Sequence, residues 1–588
     1  VFDGTLKQAL AVQLGQSPYL NIFPESRTQH ALRFMGRSPD ERLTKDVAHE
    51  ICLREGVKAM LTGSISGLGS HYVITLEAIN AQTGDTLDRE QVEAESKEQV
   101  LKSLDRGASS LREKLGESIG SVQQFAKPLE QATTSSLDAL KEFSLGQAAH
   151  GRFDDEAAIP HLQRAVDLDP NFALAWATLG VTNRNRTNDK RAAECLKKAF
   201  DLKDRTSERE KFYISAHYYE IATRQTDQAL QTYEQWKQTY PRDAVARDNL
   251  ALLYQITGQQ EKGLANAIDA MQLDVKDPYA YQNVAGSYQL LGRYDEAKAV
   301  AEQAIEKKVE PWSIRITLYY VAYIRGDQQA MQDQLDASKN GPGEPVILWL
   351  NADGECARGK IKLARESYAH VVTSSQAKGY QGFQDFARLS EAICDLDAGY
   401  TQEVRPLATA MLSKAQDADI RAGAAFLLAA VGDSARAQQL ADELAKESPD
   451  DTLLNKADLA VIRATLALQR NQPAQAIAQL ESDIPYQFGA GPRSAGYEPF
   501  AIRAEAYLRT HDGTNAAAEY QKILDHRGLD PVSPLYSLAH LGLGRAYALQ
   551  GDNAKAKSAY QDFFAIWKDA DPDVPVLKTA KAEYEKLK

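Results

Sequence analysis

From Leu137 onward, small and large side chains recur with a period of 34 residues, and no other feature of the chain constrains its fold as much. Counted from Ala139, residues Leu145, Gly146, Ala158, Leu162, Ala165 and Pro170 fall at positions 7, 8, 20, 24, 27 and 32. Counted from Ala173, residues Trp176, Leu179, Gly180, Ala192, Leu196 and Ala199 fall at 4, 7, 8, 20, 24 and 27. After a slip of three residues the register resumes at Glu210, with Tyr213, Ala229, Tyr233, Trp236 and Pro241 in phase. It runs on from Ala244 (Leu250, Ala251, Tyr254) and from Pro278 (Tyr281, Val284, Ala285, Tyr288, Ala297, Ala301, Ala304). Matches weaken from Trp312 and Val346. They return in Arg421–Pro449 with Gly432 and Ala437, loosely in Tyr497–His526, and clearly at Leu543, Gly544, Tyr547, Gly551, Ala556 and Tyr560.

Such a period is a pair of antiparallel helices repeated along the chain. Gly or Ala at position 8, and Ala at 20 and 27, let the two helices approach closely. Larger residues at 4, 7, 11 and 24 fill the space between repeats. Each repeat packs on its neighbours, so 588 residues need no single core. The expected fold is therefore mainly α, a tetratricopeptide-repeat (TPR) α-solenoid. Two stretches interrupt it. Lys339–Pro345 (KNGPGEP) breaks helix. Ser482–Pro499 carries Pro485, Gly489, Gly491, Pro492, Gly496 and Pro499, and reads as a loop longer than an ordinary repeat turn, either a passive insertion or a functional one.

The first ~125 residues follow a different rule. Gly4–Leu14, Arg27–Met35 and Thr44–Glu55 have helical spacing, and Tyr19–Phe23 is a short apolar run ended by Pro24. Val57–Ser66 and His71–Ile79 are rich in β-branched residues, with Tyr72, Ile74, Leu76 and Ala78 alternating along one face. Gly67–Ser70 and Thr83–Asp85 supply the turns, and Thr86–Ala94 follows as a third antiparallel strand. Lys97–Leu115 is expected as a helix. The chain thus divides into a small α/β domain with an antiparallel or mixed sheet (1–125), a linker (126–136), an N-terminal TPR array (137–378) and a C-terminal TPR-like array (379–588) that contains the loop 482–499.

Charge and composition exclude several classes of function. The net charge of −13 repels phosphate backbones, so nucleic acid is not an expected partner. The longest apolar run, Ala422–Val431, is far short of the ~18 residues of a membrane helix. Cys52, Cys195, Cys356 and Cys394 form no C-x-x-C motif and read as small core residues. Gly63, Gly67 and Gly69 match neither phosphate-loop pattern and serve as hairpin glycines. His511, His526 and His540 lack metal-ligand spacing, and neither G-x-S-x-G nor H-E-x-x-H occurs. Asp154–Asp155 and Asp450–Asp451 sit at helix starts, where carboxylates cap exposed N–H groups. No catalytic residue, cofactor or metal site is expected.

Binding residues are expected on the first helix of each repeat, at positions 2, 5, 6, 9 and 12 of the concave face. Asn249 and Asn283 both fall at position 6, where stacked asparagines can hold a peptide backbone or carboxylate. Ser313 and Ile316 stand where a full carboxylate clamp would need Lys and Arg, so that clamp is incomplete. Tyr279, Gln282, Gln289 and Arg315 share the groove.

The segments GTLKQALAVQLGQSPYLNIFPE, LTGSISGLGSHYVITLEAINAQTGD and EAESKEQVLKSL, together with the C-terminal KILDHRG…AKAKSAYQDFFAIWKDADP, resemble the extracytoplasmic region of bacterial TPR-containing serine/threonine kinases. In that family a kinase and one membrane helix precede a TolB-like α/β domain and TPRs. The resemblance implies an extracytoplasmic signalling module, periplasmic or at the cell surface, without the kinase domain. The chain opens on Val1 with no signal peptide after it and reads as a mature or excised piece. The family's α/β domain opens with a strand that lies before the point where this chain starts, so an open sheet edge is expected. The functional expectation is a non-catalytic scaffold or sensor that binds a protein or peptide on its concave face. The alternatives are a self-assembling structural protein, joined through that edge or its terminal repeats into oligomers or filaments, and an enzyme with an unrecognised site.

Overall fold

The computed structural model describes all residues except 1–4, 24, 39–40, 42, 130–132, 153, 187, 310, 414–416, 491–495 and 588. Pro24, and Gly491 and Pro492 of the long loop, therefore lie outside the described residues. The chain separates into two compact units, residues 1–246 and 247–588.

Unit 1 begins with α1 (Thr5–Gly15), α2 (Glu25–Phe34) and α3 (Lys45–Glu55). Three antiparallel strands follow, β1 (Ala59–Leu68), β2 (His71–Asn80) and β3 (Thr86–Ala94), in the order β1-β2-β3. The register pairs Ile65 with Ile74 and Ile74 with Val92. Period-two alternation on β2 does what the sequence implied: Ile74, Leu76 and Ala78 are buried. The helix α4 (Val100–Lys114) covers that face, with Gly107 close to Leu76 and Val92.

After α5 (Ile119–Phe125) the helical hairpins start: α6 (Leu137–His150) with α7 (Asp155–Leu168), α8 (Ala173–Asn185) with α9 (Asp189–Leu202), and α10 (Glu208–His217) with α11 (Thr226–Thr239). The spacing of small and large residues has the predicted cause. A Cβ on Gly146 would stand 2.7 Å from Leu162, and one on Gly180 would stand 2.7 Å from Leu196. Position 8 is small because position 24 of the same repeat lies against it. Residues 126–136, read as a linker, include a fixed point: Gln16 accepts from the Lys127 amide (2.6 Å) and donates to its carbonyl (3.2 Å). The head and the first repeats share one core, in which Leu14, Leu76 and Leu104 join Phe143, Leu162 and Leu179.

Unit 2 carries the remaining hairpins. They are α12 (Ala244–Ile256) with α13 (Gln260–Leu273), α14 (Pro278–Leu290) with α15 (Tyr294–Glu306), α16 (Ile314–Arg325) with α17 (Gln328–Ser338), and α18 (Glu344–Ala357) with α19 (Ile361–Ala377). Next come α20 (Gln381–Ala398) with α21 (Thr401–Leu412), α22 (Ala418–Ala430) with α23 (Ser434–Glu447), and α24 (Leu459–Gln469) with α25 (Pro473–Gln479). The last are α26 (Glu498–Arg509) with α27 (Gly513–Asp525), α28 (Pro534–Leu549) with α29 (Asn553–Ile566), and a closing helix α30 (Pro575–Glu585). Hairpins continue through residues 312–412, where the sequence repeat fades: aromatic pairs such as Trp349 with Phe386 fill the space that Ala and Leu fill elsewhere. The expected caps form as well, with Asp154 accepting from Ala157 N and Asp451 from Leu454 N.

The cysteines require a correction. Cys52 and Cys195 are buried free thiols, as expected of core residues, but Cys356 and Cys394 form a disulfide. They are 38 residues apart in sequence, yet α18 and α20 bring their Cα atoms to 6.0 Å.

Candidate functional site

The first helices of the repeats in unit 2 carry the residues expected to meet a ligand. Most of their polar groups are engaged within the chain. Asn283 is buried and donates to Asp248 O (3.2 Å) on α12. Gln255 donates to Asn283 O (3.1 Å) and to Ser287 Oγ (2.8 Å), tying α12 to α14. Gln282 accepts from Ser313, tying α14 to the start of α16. Arg315 donates to Gln334 (3.3 Å) on α17, and Asn249 is half-buried on α12. Gln289 is buried and donates to the carbonyl of Gly528. The six residues thus share one series of helices, but Asn283 and Gln289 are buried and offer a ligand little surface.

Exposed apolar side chains remain on the same helices. Tyr279, at position 2, is 45% exposed and Leu252, at position 9, is 41% exposed. Trp312, just ahead of α16, is 43% exposed.

The Gly528 contact belongs to a larger arrangement that the sequence did not announce. Late junctions of unit 2 dock on the C-terminal ends of its early first helices. Ala490 N donates to Gln255 O (3.0 Å) and Gln260 donates to Phe488 O (2.7 Å). A Cβ on Gly489 or on Gly528 would overlap the backbone carbonyl of Ile256 or of Gln289. Val532 packs with Tyr319 and Tyr323. Trp567 Nε1 donates to Ala357 O (3.0 Å) and Ser537 Oγ (3.1 Å), while Asp571 N donates to Gly359 O (3.0 Å). The closing helix α30 buries Leu577 and Ala580 in a core with Cys356, Cys394 and Tyr368. Gly489 fell inside a stretch read only as breakers. Its signal was present in the residue type, since only glycine permits this approach, but the partner is more than two hundred residues away.

Carboxylates collect where these segments meet. Burial pushes Asp397 up to about 7. Burial raises Glu498 to about 8, with Asp397, Asp530 and Asp458 repelling it further. Burial also raises Asp530 to about 6, and holds Asp353 well above the usual carboxylate range although the Tyr368 hydroxyl donates to it. Desolvation disfavours the charged form, and here four chain segments contribute the like charges. Among the described residues, no group of three or more His, Cys, Asp or Glu side chains is placed to hold a metal ion. Nor, among the described residues, is any helix long and apolar enough to cross a membrane.

Comparison with known proteins bears on the helices just described. Residues 278–306, the α14–α15 hairpin, match the model of the tetratricopeptide-repeat family. That hairpin carries Asn283, Gln289 and the exposed Tyr279, and repeats of this kind stack on their neighbours. A search of curated protein sequences finds no match. Among solved structures, the chain is similar to a thermophilic TPR protein of Thermus thermophilus (22% identity, 30% of this chain and 95% of that chain, TM-score 0.27). It is also similar to a chain of the Cut9–Hcn1 hetero-tetramer of APC/C (12% identity, 76% and 83%, TM-score 0.43). A third likeness is to YrrB, described as a TPR protein with an unusual peptide-binding site (18% identity, 30% and 90%, TM-score 0.21).

Proposed function

We propose that this chain is a non-catalytic scaffold or sensor module that binds a protein or peptide on the first helices of unit 2, over the strip that includes Leu252, Tyr279 and Trp312. The observation that carries the reading is the exposure of Tyr279 and Leu252 at repeat positions 2 and 9, which face a ligand in a TPR groove, with Trp312 exposed just ahead of the next first helix. Asn249, Gln282 and Arg315 lie on the same first helices and are the polar groups this reading assigns to the ligand. The test is capture from a cell-envelope extract by the wild-type chain and by a Tyr279→Ala/Trp312→Ala double variant. A partner retained by the wild type and lost by the variant supports the reading, and identical capture by both would refute it.

The module is extracytoplasmic in this proposal, as part of a receptor of the TPR-containing kinase type. The Cys356–Cys394 disulfide supports this, because such bonds persist in oxidising compartments. Thiol labelling of the chain in its native cell decides it: two reactive cysteines after denaturation fit an oxidising location, and four do not.

Self-association is a second reading with its own observation. Strand β1 is an edge of the sheet and has no charged residue between Ala59 and Leu68, whereas the other edge, β3, carries Asp88, Arg89, Glu90 and Glu93. Light scattering across a concentration series, with Ser64→Lys on the open edge as the control, tests it. A constant monomer mass would remove it.

A further inference from the structure

A cavity of about 330 Å³ in unit 2 lies apart from the Tyr279 strip. Its wall includes Tyr323, Arg358, Arg527, Tyr536, His540 and Ile566. The Arg358 guanidinium lies 4.3 Å from the centre of the Tyr323 ring, and that of Arg527 lies 4.6 Å from the centre of the Tyr536 ring. Contacts of this kind orient a guanidinium without supplying a formal counter-charge, and the Arg358 charge is felt by Glu355, whose carboxyl is raised by burial. Among the described residues, neither arginine pairs with a carboxylate, and Arg527 Nε is buried without a hydrogen-bond partner. The one carboxylate of the wall, Asp562, is exposed.

The docked segments fix both arginines before any ligand arrives. Arg358 precedes Gly359, whose carbonyl accepts from Asp571 N. Arg527 precedes Gly528, whose carbonyl accepts from Gln289. Two positive groups from distant parts of the chain therefore share a partly dehydrated space, and an anion between them would relieve their repulsion. Burial holds His540 below its ordinary value, with Arg527 acting in the same direction and Asp562 against it, so the imidazole adds no third charge near neutral pH.

We propose that this cavity binds a carboxylate carried on a compact apolar body. The fork of a guanidinium matches a planar carboxylate. The tyrosine rings, Ala357, Ala565 and Ile566 suit a hydrocarbon or aromatic body, which a bare inorganic anion lacks. The volume sits at the small end of ligand pockets, about 300–1,000 Å³. The carboxylate has two natural sources, a free organic acid or the C-terminus of a peptide. The site is independent of the protein-binding strip and stands or falls separately from it.

Calorimetric titration of the full chain tests the proposal with four probes: 3-phenylpropanoate, a short acetylated peptide ending in Leu-Phe with a free carboxylate, the same peptide amidated, and inorganic phosphate. Saturable binding of either carboxylate is expected, with none of the amide. Binding of phenylpropanoate alone marks the free acid as the source, and binding of the peptide alone marks the chain terminus. Arg358→Gln and Arg527→Gln should each weaken binding by roughly tenfold to a hundredfold, the worth of a charge-assisted hydrogen bond. Circular dichroism checks that both variants fold. Ile566→Trp fills the cavity with both arginines in place and should abolish binding. The proposal is overturned if neither carboxylate binds, if the amide or phosphate binds as tightly, or if Ile566→Trp binds as the wild type does.

Discussion

The repeats of unit 1 and those of unit 2 are fastened by different means. In unit 1 a non-repeat head does it: Arg242 donates to Tyr19 O, Lys127 Nζ donates to Asp204 O, and the Phe125 and Tyr240 rings lie 6.0 Å apart. In unit 2 late repeats hold early ones, through Gly489, Gly528, Trp567 and Asp571, and a disulfide secures the same region. A plain solenoid is stabilised repeat by repeat, with each interface independent of distant ones. Docking of the late junctions is expected to make unit 2 unfold cooperatively, and the head to do the same for unit 1. The difference also sets what each surface can do. Where late junctions dock on early helices, a residue such as Gln289 is occupied within the chain, whereas Tyr279 and Leu252 stay exposed.

The sharpest way to break this comparison is the disulfide. Cys356→Ser with Cys394→Ser should lower the stability of unit 2 by about 2–4 kcal/mol and leave the unit 1 transition in place. Calorimetry reads this as one shifted transition beside one unchanged, and a common shift of both would refute the separation. Next in size is Gly528→Val. The added Cβ must displace the Gln289 carbonyl, at about 1–3 kcal/mol, and hydrogen exchange should accelerate at both 526–531 and the end of α14. Trp567→Phe follows, at about 1–2 kcal/mol, because the indole donates both to Ala357 O and to Ser537.

The pH dependence should separate the units by size. Asp397, Glu498 and Asp530 have folded-state values raised to about 7, 8 and 6. In that range the folded state binds more protons than the unfolded one, so stability falls as pH rises from about 4 to about 8. Among the described residues, unit 1 has one such carboxylate, Glu210 at about 7, against Glu77, Glu90 and Glu117, all held low. Its melting temperature should change less over the same range. The smallest effect on stability belongs to Tyr279→Ala/Trp312→Ala, within about 0.5 kcal/mol, although it carries the largest expected effect on partner binding.

The sequence alone determined the elements. The 34-residue period announces hairpins because Gly146 must clear Leu162 and Gly180 must clear Leu196, contacts made inside one repeat. The alternation of Ile74, Leu76 and Ala78 announces the strand for an equally local reason. Only the tertiary structure decided what these elements do together. The Cys356–Cys394 bond depends on which cysteines two separate hairpins bring to 6.0 Å. The burial of Asn283 and Gln289 depends on neighbouring helices and on a junction that comes more than two hundred residues later. Local packing leaves a period in the chain. Contacts between distant hairpins of unit 2 leave none, because their sequence separation depends on how many hairpins intervene.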